Sequence, residues 1–366
     1  MSNNNTQSEP ESSSVPDERV PAWTMPQYTK IAEWLQGAGR IWIPLHVSPD
    51  GDSLGSTLAF GTALKMRGYD CVVVSTDPIP DVYAPFYNPA DVFIGDVPPG
   101  PPPTHIACLD ISDPARTGGF FTANEAMLRG EGGVKVLNMD HHATNVRFGD
   151  LQLLDVNAAA CAEQVAAALN ELGWAVDADI ARYILLGVVT DTLGFRTPST
   201  TSRSLKIAAY MMERGGDLYN IIDEVFNTRP LSTIMLWSKA LGSVSLGADG
   251  RVIYIHVTPQ MLNSAGAKEE ELEGLSSYLA TVRGAVKVAA VLKERDDGTT
   301  RASIRSNPGV DVASIARKFG GGGHTQAAGA TIPAIGAEAD RLFIEACKAV
   351  LDATDDGRPT TDDSTH

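Results

Sequence analysis

The stretch HVSPDGDSLGS, residues 46–56, places His46, Asp50 and Asp52 within seven positions, directly after the apolar run IWIPL. Two like charges about 4 Å apart repel by roughly 4 kcal/mol at an effective dielectric of 20. A fold tolerates such crowded carboxylates most readily when a cation lies among them. Considered alone, Asp50 and Asp52 could instead cap the helix that follows, and for this stretch in isolation capping is the favoured interpretation.

Other residues of metal-binding type follow predicted strands in the same way. Asp110 follows HIACL, the run Asp140, His141 and His142 follows VKVLNM, and Asp191 ends the apolar helix YILLGVVT. The carboxyl ends of strands in an open α/β sheet line one crevice, so these residues can converge. Each alone could belong to a turn or a helix end, but their recurrence at successive strand ends favours a metal centre. Imidazole and carboxylate together suit Mn, Fe or Zn-like ions better than calcium.

The elements that must position these residues alternate along the first two thirds of the chain. Strands are predicted for RIWIPLH, CVVVS, HIACLDIS and VKVLNMD, and helices for DSLGSTLAFGTALKMRG, AEQVAAALNELG and ARYILLGVVTD. This alternation predicts an α/β fold, with a mostly parallel sheet covered by helices on both faces. Two strand pairs follow, GSVSLGADGRVIYIHV and AVKVAAVLKERDDGTTRASIRS, and they predict a smaller α+β domain.

The domain organisation predicted from these patterns has five segments. They are a disordered tail at 1–22, a catalytic domain at 23–225, a linker at 226–240, a small domain at 241–353 and a second disordered tail at 354–366. Both tails are predicted because they are polar and acidic and lack apolar residues for a core. The first residues also lack the apolar segment of a signal peptide, which favours a cytoplasmic location.

Charge and cysteine content limit the possible partners. The net charge of −16 argues against binding along long duplex nucleic acid, and no apolar run is long enough to span a membrane. The scattered cysteines predict buried thiols in a reducing cytoplasm: Cys71, Cys108, Cys161 and Cys347. Residues 283–318 differ from the rest of the chain, with eight Lys/Arg and four Asp/Glu. Such a locally positive segment suits a short anionic substrate.

Four motifs resemble those of the DHH phosphoesterases, in the order found in that family. They are HVSPDGDSLGS, LDISDPARTG, MDHHATN and VVTDTLGFR. FGGGGHTQAAGA, residues 319–330, resembles the signature of the C-terminal DHHA1 domain. The resemblance covers residues 24–350. The two-domain length is similar to the bacterial oligoribonuclease/pAp phosphatase and cyclic-di-AMP/pApA phosphodiesterase subgroup, whereas RecJ-type exonucleases carry further domains.

The resemblance implies a ligand set for two metal ions. His46, Asp50 and Asp110 would hold one ion, while Asp52, Asp110, His141 and Asp191 would hold the other. Asp140 would then orient its neighbours, and His142 would contact a phosphate oxygen or the leaving group. Further candidates for orienting the phosphate are Asn145, Arg116 and Arg196, although each arginine could equally be a surface residue.

The glycine run before His324 indicates a close approach of the backbone to a ligand, which residues without side chains permit. A flexible linker is the alternative, but the run lies between the predicted helix VASIARKF and the apolar AAGATI. The resemblance implies that Arg305 and His324 contact the far end of the substrate. Further predicted substrate-binding residues are Arg283, Ser306, Gly322 and Gly323.

Together these features predict a phosphoesterase with two Mn²⁺ ions, for which Mg²⁺ or Co²⁺ could substitute, in a cleft between the two domains. Its expected substrates are short oligoribonucleotides, linear or cyclic dinucleotides, and 3′-phosphoadenosine 5′-phosphate (pAp). One alternative is a manganese pyrophosphatase, against which GGGGHTQAAG counts. The other is a non-catalytic sensor of cyclic dinucleotides. The oligomeric state stays open, with a homodimer among the alternatives.

Overall fold

The computed structural model describes residues 27–355, which divide into two compact units after Thr228. The predicted tail at 1–22 lies outside the described residues, as do residues 356–366 of the second predicted tail. Residues 354 and 355 instead end the last helix. None of the described helices combines the length and the apolar character needed to span a bilayer.

Six parallel strands form the sheet of the first unit. They are β1 (Arg40–Pro44), β2 (Asp70–Ser75), β3 (Val92–Ile94), β4 (His105–Leu109), β5 (Lys135–Asp140) and β6 (Leu151–Leu154). Their order is β3-β2-β1-β4-β5-β6, and every neighbouring pair is parallel. The chain order reverses between β1 and β4, and the carboxyl ends of strands at such a point border a crevice.

Helices cover both faces of this sheet, which confirms the predicted α/β class. They are α1 (Lys30–Trp34), α2 (Gly51–Met66), α3 (Gly119–Leu128), α4 (Cys161–Glu171), α5 (Ala178–Asp191), α6 (Ser202–Met212) and α7 (Leu218–Ile222). A π-helical turn, Asp223–Asn227, follows α7. Short 3₁₀ turns occupy Asp81–Phe86, Pro89–Asp91, Pro114–Thr117 and Glu131–Gly133. Helices α2, α4 and α5 share the larger core, and α3 packs with Trp42 in a separate core.

Two glycines allow α2 and α5 to pack closely. A Cβ atom on Gly55 would lie 2.4 Å from the carbonyl oxygen of Tyr183, and one on Gly187 would lie 2.6 Å from Oδ1 of Asp52. Real Cβ atoms do not approach other atoms so closely, because interiors are already packed to crystal-like density. The first turn of α2 and the end of α5 therefore meet at the carboxyl edge of the sheet.

The second unit contains a mixed sheet with helices on each face. Its strands are β7 (Ser245–Gly247), β8 (Val252–Val257), β9 (Val288–Glu294), β10 (Thr300–Ser306), β11 (Gly322–His324) and β12 (Ala327–Ile332). Their order is β11-β12-β10-β9-β8-β7, with β8 and β9 parallel and the other pairs antiparallel. The helices are α8 (Leu231–Leu241), α9 (Pro259–Ala265), α10 (Leu275–Leu279), α11 (Val312–Arg317) and α12 (Gly336–Asp355), with a 3₁₀ turn at Glu269–Leu272.

The structure differs from the sequence-based expectation in several elements, among them β3, β6 and α8. Strands β3 and β6 are not predicted, because three and four residues are too few to show a pattern. The expected linker, 226–240, contains most of helix α8. Leu236 and Ala240 of this helix are buried beside Ile255 of the second sheet, so the segment belongs to a core. The two predicted hairpins, β7–β8 and β9–β10, are present, and the four cysteines are buried and free.

Candidate metal centre and active site

Asp50 uses its two carboxylate oxygens for different purposes. It begins helix α2, and its Oδ1 accepts hydrogen bonds from the backbone N–H groups of Asp52 (3.1 Å) and Ser53 (2.9 Å). Its Oδ2 lies 3.6 Å from Nε2 of His46, which follows β1. The two interpretations of this carboxylate are therefore compatible, since one oxygen caps the helix and the other remains available to a cation.

Asp110 lies between the two groups of potential ligands. Its Oδ2 is 3.6 Å from Nε2 of His46, and its Oδ1 is 3.4 Å from Nε2 of His141. The residue follows β4 and has a left-handed backbone conformation, with φ of 58°. Such a conformation costs on the order of 1 kcal/mol for a residue with a side chain, and it concentrates at functional sites. This placement would allow one carboxylate to bridge two ions.

His141 forms the centre of the second group of potential ligands. Its Nε2 lies 3.8 Å from Oδ2 of Asp52 and 3.6 Å from Oδ2 of Asp191. Its Nδ1 lies 3.2 Å from the carbonyl oxygen of Ala158. A proton on Nδ1 would be donated to that carbonyl, so Nε2 is the ring nitrogen that faces the carboxylates and could bind a cation after losing its proton.

Asp52 is held by the beginning of helix α4. Its Oδ2 accepts the backbone N–H of Cys161 (2.6 Å), and its Oδ1 accepts that of Ala162 (2.9 Å). The residue preceding Cys161 is an alanine and offers no side-chain cap. Because the first N–H groups of a helix need acceptors, a carboxylate from α2 serves that purpose here.

The spacing of these atoms fits ligands that share a cation. Two atoms bound to one ion at about 2.1 Å lie roughly 3 to 3.5 Å apart, close to the separations of 3.4–3.8 Å found here. Asp110 Oδ1 is buried and has no hydrogen-bond partner among the described residues, as expected for a metal ligand. Three sets have ligand atoms within 4.8 Å of one another: His46, Asp50 and Asp110; Asp52, His141 and Asp191; and Asp110, Asp140, His141 and His142.

The pKa values of four residues in this cluster are raised. Burial alone would lower the pKa of His46, but its contacts with Asp110 and Asp50 raise that pKa to about 10. The pKa of His141 is likewise raised to about 10 against the effect of burial, by Asp110 and Asp52. Burial and neighbouring carboxylates raise the pKa of Asp52 well above its usual range, and burial raises that of Asp191 to about 6. Metal binding at this site would therefore release protons.

Asp140, His142 and Asn145 form a hydrogen-bonded group beside the ligands. Asp140 is fully buried, with Oδ1 2.8 Å from Nδ1 of His142 and Oδ2 2.6 Å from Nδ2 of Asn145. Burial alone would raise the pKa of Asp140, but these hydrogen bonds lower it, and Asp140 in turn raises the pKa of His142. Because Nδ1 of His142 faces Asp140, its Nε2 is the atom that can exchange a proton with a ligand.

The structure does not bring Arg116 and Arg196 to this cluster. The carbonyl of Arg116 accepts the N–H of Val47 (2.7 Å), while its side chain is exposed. Nε of Arg196 donates to the carbonyl of Leu193 (2.6 Å), and the guanidinium lies over the ring of Phe226. In the described part of the chain, neither side chain forms a hydrogen bond or ion pair with the potential metal ligands.

The glycine run in the second unit is required mainly by strand pairing. A Cβ atom on Gly321 would lie 2.2 Å from the carbonyl oxygen of Gly329, and one on Gly323 would lie 2.4 Å from that of Ala327. Gly323 also has a φ of 145°, which strongly favours glycine. A Cβ on Gly322 would meet nothing within 4 Å. The close backbone approach expected with a ligand is thus, at Gly321 and Gly323, an approach to β12.

The other residues predicted to bind substrate have different environments. His324 is exposed and borders a shallow pocket of about 610 Å³ in the second unit. Arg305 is half-buried, which lowers its pKa, and its Nη1 donates to the carbonyl of Ile304 (3.0 Å). Ser306 Oγ donates to the carbonyl of Val310 (2.7 Å), and Arg283 is exposed. His324 is the most accessible member of this set to a ligand in the pocket.

Sequence reasoning missed the backbone groups that hold the ligands. These are the carbonyl of Ala158 and the N–H groups of Cys161 and Ala162. Backbone donors have no signature in a sequence. The one available signal is the alanine-rich stretch NAAACAEQVAAALN, in which a buried helix begins without a capping side chain and needs an acceptor from elsewhere.

Known proteins resemble the chain over most of its length. Residues 40–188 match the DHH family, N-terminal domain, and residues 249–353 match the DHHA1 domain. The chain is 35% identical over 323 residues to the bifunctional oligoribonuclease and PAP phosphatase NrnA of Thermus thermophilus, covering 87% of this chain and 92% of that protein. Identity to the Bacillus subtilis protein of the same name is 27% over 328 residues, covering 87% and 96%.

A solved structure supports the fold. The exopolyphosphatase-related protein from Bacteroides fragilis has a TM-score of 0.78 with 22% identity, covering 90% of this chain and 96% of that one.

Proposed function

The chain belongs to the DHH family and carries a C-terminal DHHA1 domain, and we propose that it hydrolyses short oligoribonucleotides and dinucleotides to mononucleotides. Its proposed substrates include pApA and cyclic di-AMP, and also pAp, which it would convert to AMP as a 3′(2′),5′-bisphosphate nucleotidase. The observation that carries the proposal is the pair of ligand groups that meet at Asp110. The names of the Thermus and Bacillus relatives point to the same substrates.

We assign two Mn²⁺ ions to these ligand groups, with Mg²⁺ or Co²⁺ as substitutes. His46, Asp50 and Asp110 would hold one, and Asp52, Asp110, His141 and Asp191 the other. The mixture of imidazole and carboxylate ligands supports a Mn-like ion rather than calcium. When bound, two such ions supply positive charge to a phosphate and lower the pKa of water.

His142 is the proposed proton donor to the leaving oxygen. Asp140 contacts its Nδ1 and favours the protonated imidazole, so Nε2 carries the proton that can be transferred. Asn145 holds the second oxygen of Asp140 and also bonds Asn138, which fixes the carboxylate in place. No covalent intermediate is required, because the proposed nucleophile is water. Arg116 keeps a proposed role in orienting the phosphate, for which its side chain would have to move from its exposed position.

The second unit supplies the proposed recognition of the nucleotide. His324 supports this role because it is exposed at a pocket, and Arg305 because its guanidinium has no carboxylate partner among the described residues. Further proposed contacts are Arg283, Ser306, Gly322 and Gly323. We also propose a cytoplasmic location, with short RNAs rather than long duplexes as partners, since the net charge of −16 repels a long polyanion.

Two other functions receive less support. A manganese pyrophosphatase would share the ligands of the first unit, but residues 249–353 match a DHHA1 domain instead of the C-terminal domain of that enzyme. A sensor of cyclic dinucleotides without catalysis would not need two complete ligand groups or a buried carboxylate beside His142.

A substrate panel with Mn²⁺ tests the proposal. The panel contains pAp, pApA, cyclic di-AMP, RNAs of increasing length up to 24 nucleotides, and pyrophosphate, compared by kcat/KM. We expect kcat/KM to be much higher for dinucleotides than for the 24-nucleotide RNA, because the acidic surface repels the part of a long strand that extends from the site. Hydrolysis of pyrophosphate alone would establish the first alternative, and binding without Mn²⁺-dependent turnover would establish the second. Equal values of kcat/KM at all RNA lengths would reject the proposed preference for short substrates.

A further inference from the structure

A buried ion cluster lies next to the second ligand group. Arg203, in helix α6, donates from Nη1 to Oδ2 of Asp155 (2.8 Å) and from Nε to Oε2 of Glu163 (2.9 Å). The side chains of Asp155 and Glu163 are 1% and 0% exposed, and that of Arg203 is 18% exposed. Charges this deeply buried are expensive to desolvate, so breaking such a cluster by removing one member is strongly destabilising.

The cluster fixes both ends of one short segment, residues 155–163. Near its start, Asp155 accepts the N–H of Asn157 with Oδ1 (3.0 Å) and that of Ala158 with its carbonyl oxygen (3.0 Å). Near its end, Oε2 of Glu163 accepts the N–H of Ala159 (3.2 Å). Arg203 donates hydrogen bonds to both carboxylates and thereby links the two ends of the segment, which restricts its conformation.

The same segment provides the backbone groups that hold two potential metal ligands. Its Ala158 carbonyl lies 3.2 Å from Nδ1 of His141, and its Cys161 and Ala162 N–H groups donate to the two oxygens of Asp52. His141 and Asp52 both belong to the second ligand group. Among the described hydrogen bonds, the segment makes none with the side chains of His46 or Asp50, which belong to the first group.

We propose that Arg203 is a positioning residue for the second metal site, acting through segment 155–163. It would set the affinity of that site by fixing the ring of His141 and the carboxylate of Asp52, and it would leave the first site largely unaffected. This inference rests on the metal assignment of the proposed function. A merely structural ion cluster would stabilise the unit without distinguishing one metal site from the other.

Mn²⁺ binding to the full-length, metal-stripped protein tests this proposal. Electron paramagnetic resonance and calorimetric titrations would compare wild type with Arg203→Met, Arg203→Lys and Asp155→Asn. Arg182→Met is the matched control, because Arg182 pairs with Asp179 (2.6 Å) and donates to the Phe86 carbonyl, outside the segment. Circular dichroism would establish that each variant is folded.

We expect wild type and the control to bind two ions with the same affinities. Arg203→Met should bind its first ion normally and its second about tenfold or more weakly, as for other residues that orient metal ligands. Arg203→Lys should be intermediate, because lysine keeps the charge but cannot bond both carboxylates in one plane. The dinucleotide kcat of Arg203→Met should recover at high Mn²⁺, since the ligands themselves are intact.

Three results would overturn the proposal. One is a folded Arg203→Met protein with two wild-type affinities, and another is equal weakening at both sites. The third is loss of the fold in all three variants, which would show that the cluster supports the whole unit. Fewer than two ions in the wild type would instead refute the metal assignment of the proposed function, before any variant is compared.

Discussion

Individual carboxylates in this site accept hydrogen bonds from a helix N-terminus and also lie within reach of a potential cation. Asp50 caps α2 with one oxygen and faces His46 with the other, and Asp52 accepts two N–H groups of α4 while lying within reach of His141. Helix N-termini favour anions. The carboxylates can therefore gather here because the helix N-termini compensate part of their charge, and a bound cation would compensate more of it.

Asp140→Asn separates the orienting role of this residue from metal binding. The amide keeps the shape but loses the charge that holds His142, and it cannot accept from both His142 and Asn145 as the carboxylate does. We expect a partial loss of dinucleotide kcat, about 10- to 100-fold, part of which is recovered with more Mn²⁺. The measurement is kcat as a function of Mn²⁺ concentration. A complete loss that no Mn²⁺ concentration relieves would make Asp140 a metal ligand instead.

The types of the ligands are predictable from the sequence, whereas the residues that position those ligands are not. His46, Asp110 and His141 follow strands, and parallel strands bring their carboxyl ends together. Arg203 cannot be assigned in the same way, because its partners Asp155 and Glu163 are 48 and 40 residues distant in the sequence. Periodicity places a residue on a face of an element, but it does not identify which distant side chain will meet it.

The packing of helices α2 and α5 sets the distance between Asp52 and Asp191. Gly187 lies at this contact, since a Cβ atom there would lie 2.6 Å from Oδ1 of Asp52, and it also faces α4, where the Cβ of Ala162 would be 2.5 Å away. Asp52 is a potential metal ligand, and Ala162 lies in the first turn of α4, whose N–H groups donate to Asp52. A methyl group at this position must displace at least one of them.

Gly187→Ala should therefore weaken the second metal site even though alanine favours a helix over glycine by roughly 1 kcal/mol. We expect about a tenfold or greater loss of affinity for the second Mn²⁺, measured by calorimetric titration, because Asp52 is displaced. Gly61→Ala in α2 is the control, as its Cβ would meet only Val73 and Ile43 side chains at 3.3–3.4 Å. Two unchanged Mn²⁺ affinities in Gly187→Ala would show that α2 and α5 adjust without moving the ligand.

At the level of elements, the sequence predicts the long and regular parts of the fold. Strands β1, β2, β4 and β5, each of five or six residues, and helices α2, α4 and α5 are recognisable from their patterns. The edge strands β3 and β6 are too short to show a sequence pattern. Helix α8 begins the second unit, in a segment where a linker is expected. Gly321 and Gly323 are explained only by the neighbouring strand β12, which no local pattern reveals.

Charge is distributed unevenly over the whole molecule. The chain carries a net charge of −16, yet residues 283–318 contain eight basic and four acidic residues. Within that range Lys293 pairs with Glu269 and Arg317 pairs with Asp311. Among the described residues no carboxylate pairs with Arg301 or Arg305, so these guanidinium groups remain available to a phosphate or a base. This distribution supports the proposed division of roles, with the chemistry in the first unit and recognition of the nucleotide in the second.

A comparison of two substrates tests this division of roles most directly. The substrates are pApA and bis(p-nitrophenyl) phosphate, a small activated diester without a nucleotide to recognise. Remote binding energy accelerates only substrates that possess the remote group. We expect His324→Ala and Arg305→Ala to lower kcat/KM for pApA by about 100-fold, equivalent to roughly 2.7 kcal/mol of lost transition-state stabilisation. Both should leave hydrolysis of the small diester nearly unchanged, whereas Asp110→Ala should abolish hydrolysis of both substrates. Equal losses on both substrates in a folded His324→Ala protein with two bound Mn²⁺ ions would contradict the division of roles and place His324 at the reaction centre.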